Sequence, residues 1–137
     1  MAYTLRLVSL ECVQSQEVGG DDAYLTLDGN KVWDSGHEKM SHDPSHANHF
    51  SEIDFAGGRL RTLEGWVSMS SFDPNAFIFS GLSGHKVVQL WDHDILTSDD
   101  LLGETPISEV DIGHGHISVL FTRDGARYRL TYQVDQG

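Results

Sequence analysis

The stretch ISVLFTRDGARYRLTYQV, Ile117 to Val134, alternates residue by residue. Tyr128, Leu130, Tyr132 and Val134 fall on one side of an extended backbone, and Arg127, Arg129, Thr131 and Gln133 on the other. Successive side chains of a strand point to opposite faces, so this pattern predicts a strand with one buried and one wet face. Ile117 to Thr122 predicts its partner, and Asp124-Gly125 supplies the positive φ that a tight turn between them needs. The chain reads first as an antiparallel β protein.

The same signals recur upstream. AYLTLDGNKVW (23–33) predicts a second hairpin, turning at Asp28-Gly29. The strand Tyr3 to Val13 changes phase between Leu7 and Val8, which predicts a bulge. KVVQLW (86–91) is apolar on both faces and predicts a central strand, while GWVSMSSF (65–72) and the end of FDPNAFIF (72–79) predict short ones. Helix signals are poor. Evenly punctuated strands of this length predict one all-β domain over 1–137, an eight-stranded antiparallel sandwich. Residues 36–71 form an expanded, His-rich, irregular region within it.

Charge narrows the function. Twenty-one acidic against nine basic residues give a formal net charge of −12. That balance opposes nucleic acid, where basic side chains meet phosphates, and equally opposes unaided docking on anionic lipid. The start MAYTLRLVSLECV has no basic n-region and no long apolar stretch, and no run reaches the roughly 20 apolar residues of a membrane span. A soluble protein is expected, with its compartment unknown; export would need a non-classical route. The single cysteine, Cys12, sits in an apolar strand and reads as a core thiol.

Chemistry concentrates in QLWDHDILTSDDLLGE, Gln89 to Glu104, where five carboxylates crowd beside Trp91, Ile95, Leu96, Leu101 and Leu102. Two like charges about 4 Å apart repel by roughly 4 kcal/mol at a near-surface dielectric. Such a loop is splayed into water, partly protonated, or built around a cation. Asp92 and Asp94 are two apart, hence on one side of an extended backbone, and Asp100 stands where the loop returns. Calcium accepts six to eight oxygens in irregular geometry, including a backbone carbonyl such as that of His93. The competing reading is a set of solvated turn-forming acids.

WDHD (91–94) followed by DLLGE (100–104) resembles the third calcium-binding loop of the C2 domain family, and Asp22-Ala23-Tyr24-Leu25 resembles the end of its first loop. KVW (31–33) and FTRDGARYRLTYQV (121–134) extend the resemblance to small stand-alone bacterial relatives of that family; it fails over roughly Gly36 to Ser71. The resemblance implies a C2-like sandwich holding calcium at one end through Asp22, Asp92, Asp94 and Asp100, with His93 contributing its carbonyl. Where the family carries a further first-loop acid, this chain has Gln16; Glu17 or Asp21 would substitute, with Asp99 a further candidate, and one ion is expected rather than several.

No nucleophile, base and orienter fall into a known pattern, so a non-enzyme is expected. The expected function is a calcium-binding module that uses the ion for stability or for docking on a protein partner or phospholipid. Its rivals are an assembly subunit of a larger particle that has lost or only structurally uses the metal, and a carbohydrate-binding module presenting Trp33 or Trp66. A zinc site among His37, His42, His46 and His49 is a minority reading, resting on a short helix capped at Asp43-Pro44. His114 and His116 read as turn residues.

Overall fold

The computed structural model describes residues 2–44, 46 and 48–137. Among these the strands are β1 (Tyr3–Gln14), β2 (Ala23–Leu27), β3 (Asn30–Asp34), β4 (Lys39–Met40), β5 (His49–Asp54), β6 (Arg59–Thr62), β7 (Gly65–Ser68), β8 (Ile78–Leu82), β9 (Lys86–Asp92), β10 (Asp100–Ile107), β11 (His116–Phe121) and β12 (Arg127–Gln136). Two short 3-10 turns, Pro74–Phe77 and Glu109–Asp111, are the helical content of the described residues. No helix among them is long and apolar enough to cross a membrane.

The strands form a sandwich of two sheets, antiparallel except that β4 runs parallel to β5. The larger runs β11-β12-β1-β5-β6-β7, with β4 added to β5 and β8 to β1; the smaller runs β10-β9-β2-β3. β1 organises the larger sheet. Its twelve residues pair with β12 on one side, and with β8 and then β5 on the other. Register slips between Leu7 and Ser9, where the sequence changes phase. The extra residue keeps Leu5, Leu7, Leu10 and Cys12 all inside.

The core lies between the sheets. Tyr128, Leu130, Tyr132 and Val134 of β12 face Leu25, Val88, Leu90 and Leu102 of the smaller sheet, all buried. KVVQLW is central as expected, with β9 between β10 and β2. Both tight hairpins use left-handed Asp-Gly pairs, with φ of 49° and 84° at Asp28 and Gly29, and 53° and 79° at Asp124 and Gly125. That conformation costs Gly little and Asp less than most residues.

Two expectations change, and a third falls partly outside the described residues. The stretch 36–71 contains β4 to β7; its strands are two to six residues long, and β6 and β7 bury neither face fully, which erases the alternation. The helix expected at Asp43-Pro44 runs onto residues 45 and 47, which lie outside the described set. Asp43 itself closes a local turn, its N–H donating to Ser41 Oγ at 3.2 Å. Trp33 is no exposed platform: it is 9% exposed and packs edge-on against Phe50 and Phe55, at 6.5 and 5.6 Å between ring centres.

Gly103 sets the tightest packing constraint near the acidic loop. It follows a register slip in β10, and a Cβ there would stand 2.3 Å from Phe121 Cβ. Phe121 is buried, and the clash falls on the root of its side chain rather than on its far end. Gly103→Ala is therefore expected to destabilise by about 1–3 kcal/mol, the usual cost of overpacking, read as a lower urea midpoint with an unchanged slope.

Candidate metal centre

Three strand ends converge at one end of the smaller sheet. β9 finishes at Asp92, which is paired with Ala23, the first residue of β2, and with Asp100, the first residue of β10. Directly opposed residues of antiparallel strands share a face, their Cβ atoms about 5 Å apart. Asp92 and Asp100 are therefore neighbours by register. The segment between β1 and β2, Ser15 to Asp22, brings further carboxylates to Asp92.

Asp21 is fully buried and well supplied with donors. Its Oδ2 accepts from the Gln16 N–H at 2.8 Å and from the Tyr128 hydroxyl at 2.6 Å, and its Oδ1 from the Glu17 N–H at 3.0 Å. Asp92 is 1% exposed and poorly supplied. Its Oδ1 accepts from the Asp22 N–H at 2.9 Å, and its Oδ2 has no hydrogen-bond partner among the described residues. Burial, followed by the charges of Asp21 and Glu17, pushes the Asp92 carboxyl up to about 7. Glu17 is also raised, by burial first and then by Asp21 and Asp94. Carboxylate oxygens of Glu17, Asp21 and Asp92 lie within 4.8 Å of one another.

Gln16 completes this pocket. Its Nε2 donates to Asp100 Oδ2 at 3.0 Å, while its Oε1 is buried with no partner among the described residues. Two buried oxygens without a partner among the described residues, Asp92 Oδ2 and Gln16 Oε1, lie beside three crowded carboxylates, of which Asp21 and Asp92 are buried and Glu17 is exposed. Burying such groups without compensation costs several kcal/mol in general. Lys39 is the cation nearby, and its Nζ is committed to Asp22 Oδ1 at 2.9 Å. The donor set is oxygen alone, which suits a hard cation.

The residues expected from sequence divide. Asp92 and Asp100 are opposed across β9 and β10, with Asp100 outside the group of closely spaced carboxylate oxygens. Asp22 stands beside them with its side chain turned to Lys39, and Asp21 takes the inner position. Consecutive residues of extended chain point opposite ways, so a one-residue difference exchanges the inner and outer carboxylates. His93 is exposed; its N–H donates to the Asp22 carbonyl at 2.9 Å and its Nδ1 lies 3.1 Å from Asp99 Oδ1. Asp94 lies past the end of β9, where period two no longer applies, and its carboxylate accepts from Leu96 N–H at 2.9 Å and Thr97 Oγ1 at 2.8 Å. Those bonds hold its carboxyl below the usual range. Asp99 accepts from the hydroxyl of Tyr24 and from the Asp94 N–H, and is lowered chiefly by Tyr24.

No histidine belongs to a group of three potential ligands within this spacing among the described residues. His46 and His49 rings meet at 5.0 Å, and with His42 they line a surface cavity beside Glu17. Two participants escaped sequence reading. Gln16 looked like a lost ligand, and Tyr128 like ordinary core. A buried phenol needs a hydrogen-bond partner, which was the available signal for Tyr128.

The raised Asp92 pKa has a defined sign. Between about 4 and about 7 the folded state holds a proton that the unfolded state has released, so stability falls as pH rises through that window. In chelator, melting temperature is expected to be higher at pH 5.5 than at pH 8, and Asp92→Asn is expected to flatten that difference and stabilise the pH 8 protein. Tyr128→Phe acts oppositely: loss of the donor to buried Asp21 is expected to cost about 1.5–3 kcal/mol at pH 8, measured by urea denaturation.

No family model and no curated protein matches the chain. Solved structures do. One titled "Structure of a C2 domain" is 14% identical, with 98% of each chain covered and a TM-score of 0.47. Extended-Synaptotagmin 2, C2A- and C2B-domains, is 11% identical at a TM-score of 0.47, and human GIVD cytosolic phospholipase A2 is 13% identical at 0.45. The chain aligns over 98% and 99% of its own length with these two, but spans only 40% and 16% of theirs. At this level the likeness transfers no ligand or role to this chain.

Proposed function

We propose that the chain is a non-catalytic calcium-binding module whose ion is held between the Gln16–Asp22 segment and the ends of β9 and β10. One observation carries the proposal: Asp92 Oδ2, buried and without a donor, beside Asp21 and Glu17. Asp92, Asp21, Glu17 and Asp100 would supply charged oxygens, and Gln16 Oε1 a neutral one. The His93 carbonyl, Asp22 and Asp94 belong to its margin. The mixed, irregular oxygen set favours calcium over magnesium, which demands near-ideal octahedral geometry. Bound calcium supplies the positive charge that offsets carboxylate repulsion and can accept oxygens from a partner.

The surroundings favour a docking role for that end. Val18, next to Glu17, and Ile95 and Leu96, following Asp94, are 105%, 87% and 92% exposed. Three large apolar side chains at the rim of an ion pocket offer a surface to a lipid headgroup layer or to a protein. Net charge opposes the lipid, so calcium-dependent vesicle binding would be modest. A second reading is favoured by the Asp92 pKa of about 7: a proton relieves the pocket, and the module serves an assembly without metal. The carbohydrate reading has little left, since Trp33 is in the core and Trp66 lies under Arg59, 4.9 Å from its ring centre.

Thermal unfolding in chelator and in millimolar calcium separates the two readings. At 100 times its dissociation constant a ligand adds about 2.7 kcal/mol, worth on the order of 8 °C for a domain this size. Wild type is expected to show that rise at pH 7.5, with magnesium giving much less and Asp92→Asn none. An unchanged wild-type melting temperature overturns the calcium reading and leaves the proton-held one. Sedimentation with anionic vesicles is expected to be negligible in chelator and modest in calcium, and to fall when Ile95 and Leu96 are both replaced by Ser.

A further inference from the structure

A cavity of about 440 Å³ opens beside the acid cluster, between residues 13–18 and residues 41–49. His42, His46 and His49 line it together with Glu17 and Asp43, and no Lys or Arg does among the described residues. Three imidazoles in a negative field differ in kind from the neighbouring oxygen pocket. Imidazole nitrogen suits zinc, copper and nickel, whereas carboxylate and carbonyl oxygens suit calcium.

The turn entering β5 sets two of these rings beside each other. The His49 N–H donates to the His46 carbonyl at 3.0 Å, closing a turn with the two residues three positions apart. Their ring centres stand 5.0 Å apart, with the planes inclined at 61°. Two imidazoles bound through nitrogen to one tetrahedral ion, at about 2 Å each, also hold their ring centres about 5 Å apart. His49 Nδ1 is buried and has no hydrogen-bond partner among the described residues. Buried polar atoms are normally paired, and such a nitrogen is what an ion or a water satisfies. His42 is exposed, and its Nδ1 makes only long contacts of 3.5 Å to the Ser15 N–H and Oγ, so little holds it in place.

We propose that this cavity binds one divalent ion of the zinc class, with His46 and His49 as paired nitrogen ligands and His42 swinging in as the third. The fourth position is left to water. Glu17 and Asp43 add negative charge at the cavity without being ligands. None of the three ligands belongs to the acid cluster, so the inference stands whether or not the chain binds calcium. The two neighbouring pockets sort ions by donor, a hard cation to oxygen and a borderline one to nitrogen.

The test titrates the full chain with zinc against a zinc-responsive fluorescent chelator, with and without millimolar calcium. One zinc per chain is expected to bind, and calcium is expected not to displace it. Losing an outer-shell partner alone costs a metal site about 10–100-fold, so His42→Gln, His46→Gln and His49→Gln are each expected to weaken zinc binding by at least about tenfold. His114→Gln with His116→Gln, a pair of histidines elsewhere, is expected to change it less than about twofold. His42 and His46 are exposed, so their variants are expected to melt as wild type does in metal-free buffer, followed by circular dichroism. Equal weakening by the His114 and His116 pair would reduce the effect to scattered surface histidines and overturn the proposal. So would undiminished binding by His46→Gln, displacement of zinc by calcium, or no zinc binding by the wild type.

Discussion

A carboxylate buried among carboxylates must receive donors, a proton or a cation. Asp21 receives donors: two backbone N–H groups of its own segment, and the Tyr128 hydroxyl from the opposite sheet. That last bond ties the chain before β2 to β12, and so fixes Asp21 beside the end of β9. Asp92 is then left in the field of a fully buried neighbour, with one oxygen unsatisfied. The unusual chemistry of this end follows from that inequality between two aspartates. One is well bonded, and the other bears the electrostatic cost unless something neutralises it.

The sandwich explains why the inequality persists. β1 is clamped along its length by β12 and on its other side by β5 and β8, so the larger sheet cannot relax to separate Tyr128 from Asp21. β9, between β2 and β10, holds Asp92 opposite both Ala23 and Asp100. The pocket joins strand ends, where register decides position, to the Gln16–Asp22 segment between β1 and β2. The tips carry the exposed residues Val18, Ile95 and Leu96.

Much of the fold was legible because it rests on short-range rules. Alternation in β12, the Asp-Gly turns and the phase slip in β1 each report a local constraint, and each lies where it was read. The stretch holding β4 to β7 was not legible, because short strands with half-buried faces leave no period to detect. For the site, Asp92 and Asp100 are opposed in register across β9 and β10. Asp94 stands past the end of β9, and its carboxylate closes its own turn. The choice of Asp21 over Asp22 is a matter of which way a side chain points, and it is decided by Tyr128, 107 positions away. No local pattern contains that information.

The most direct measurement is calorimetric titration of the chelator-stripped protein with calcium near pH 7, repeated in two buffers of different ionisation enthalpy. A carboxyl poised at about 7 must lose its proton to become a ligand, so binding is linked to proton release. The account predicts one ion per chain, a fraction of a proton released per ion at pH 7, and release that vanishes by pH 9. Binding with no buffer dependence at pH 7 would contradict it by removing Asp92 from the ligand set, and absence of any calcium heat in either buffer would contradict the ion itself.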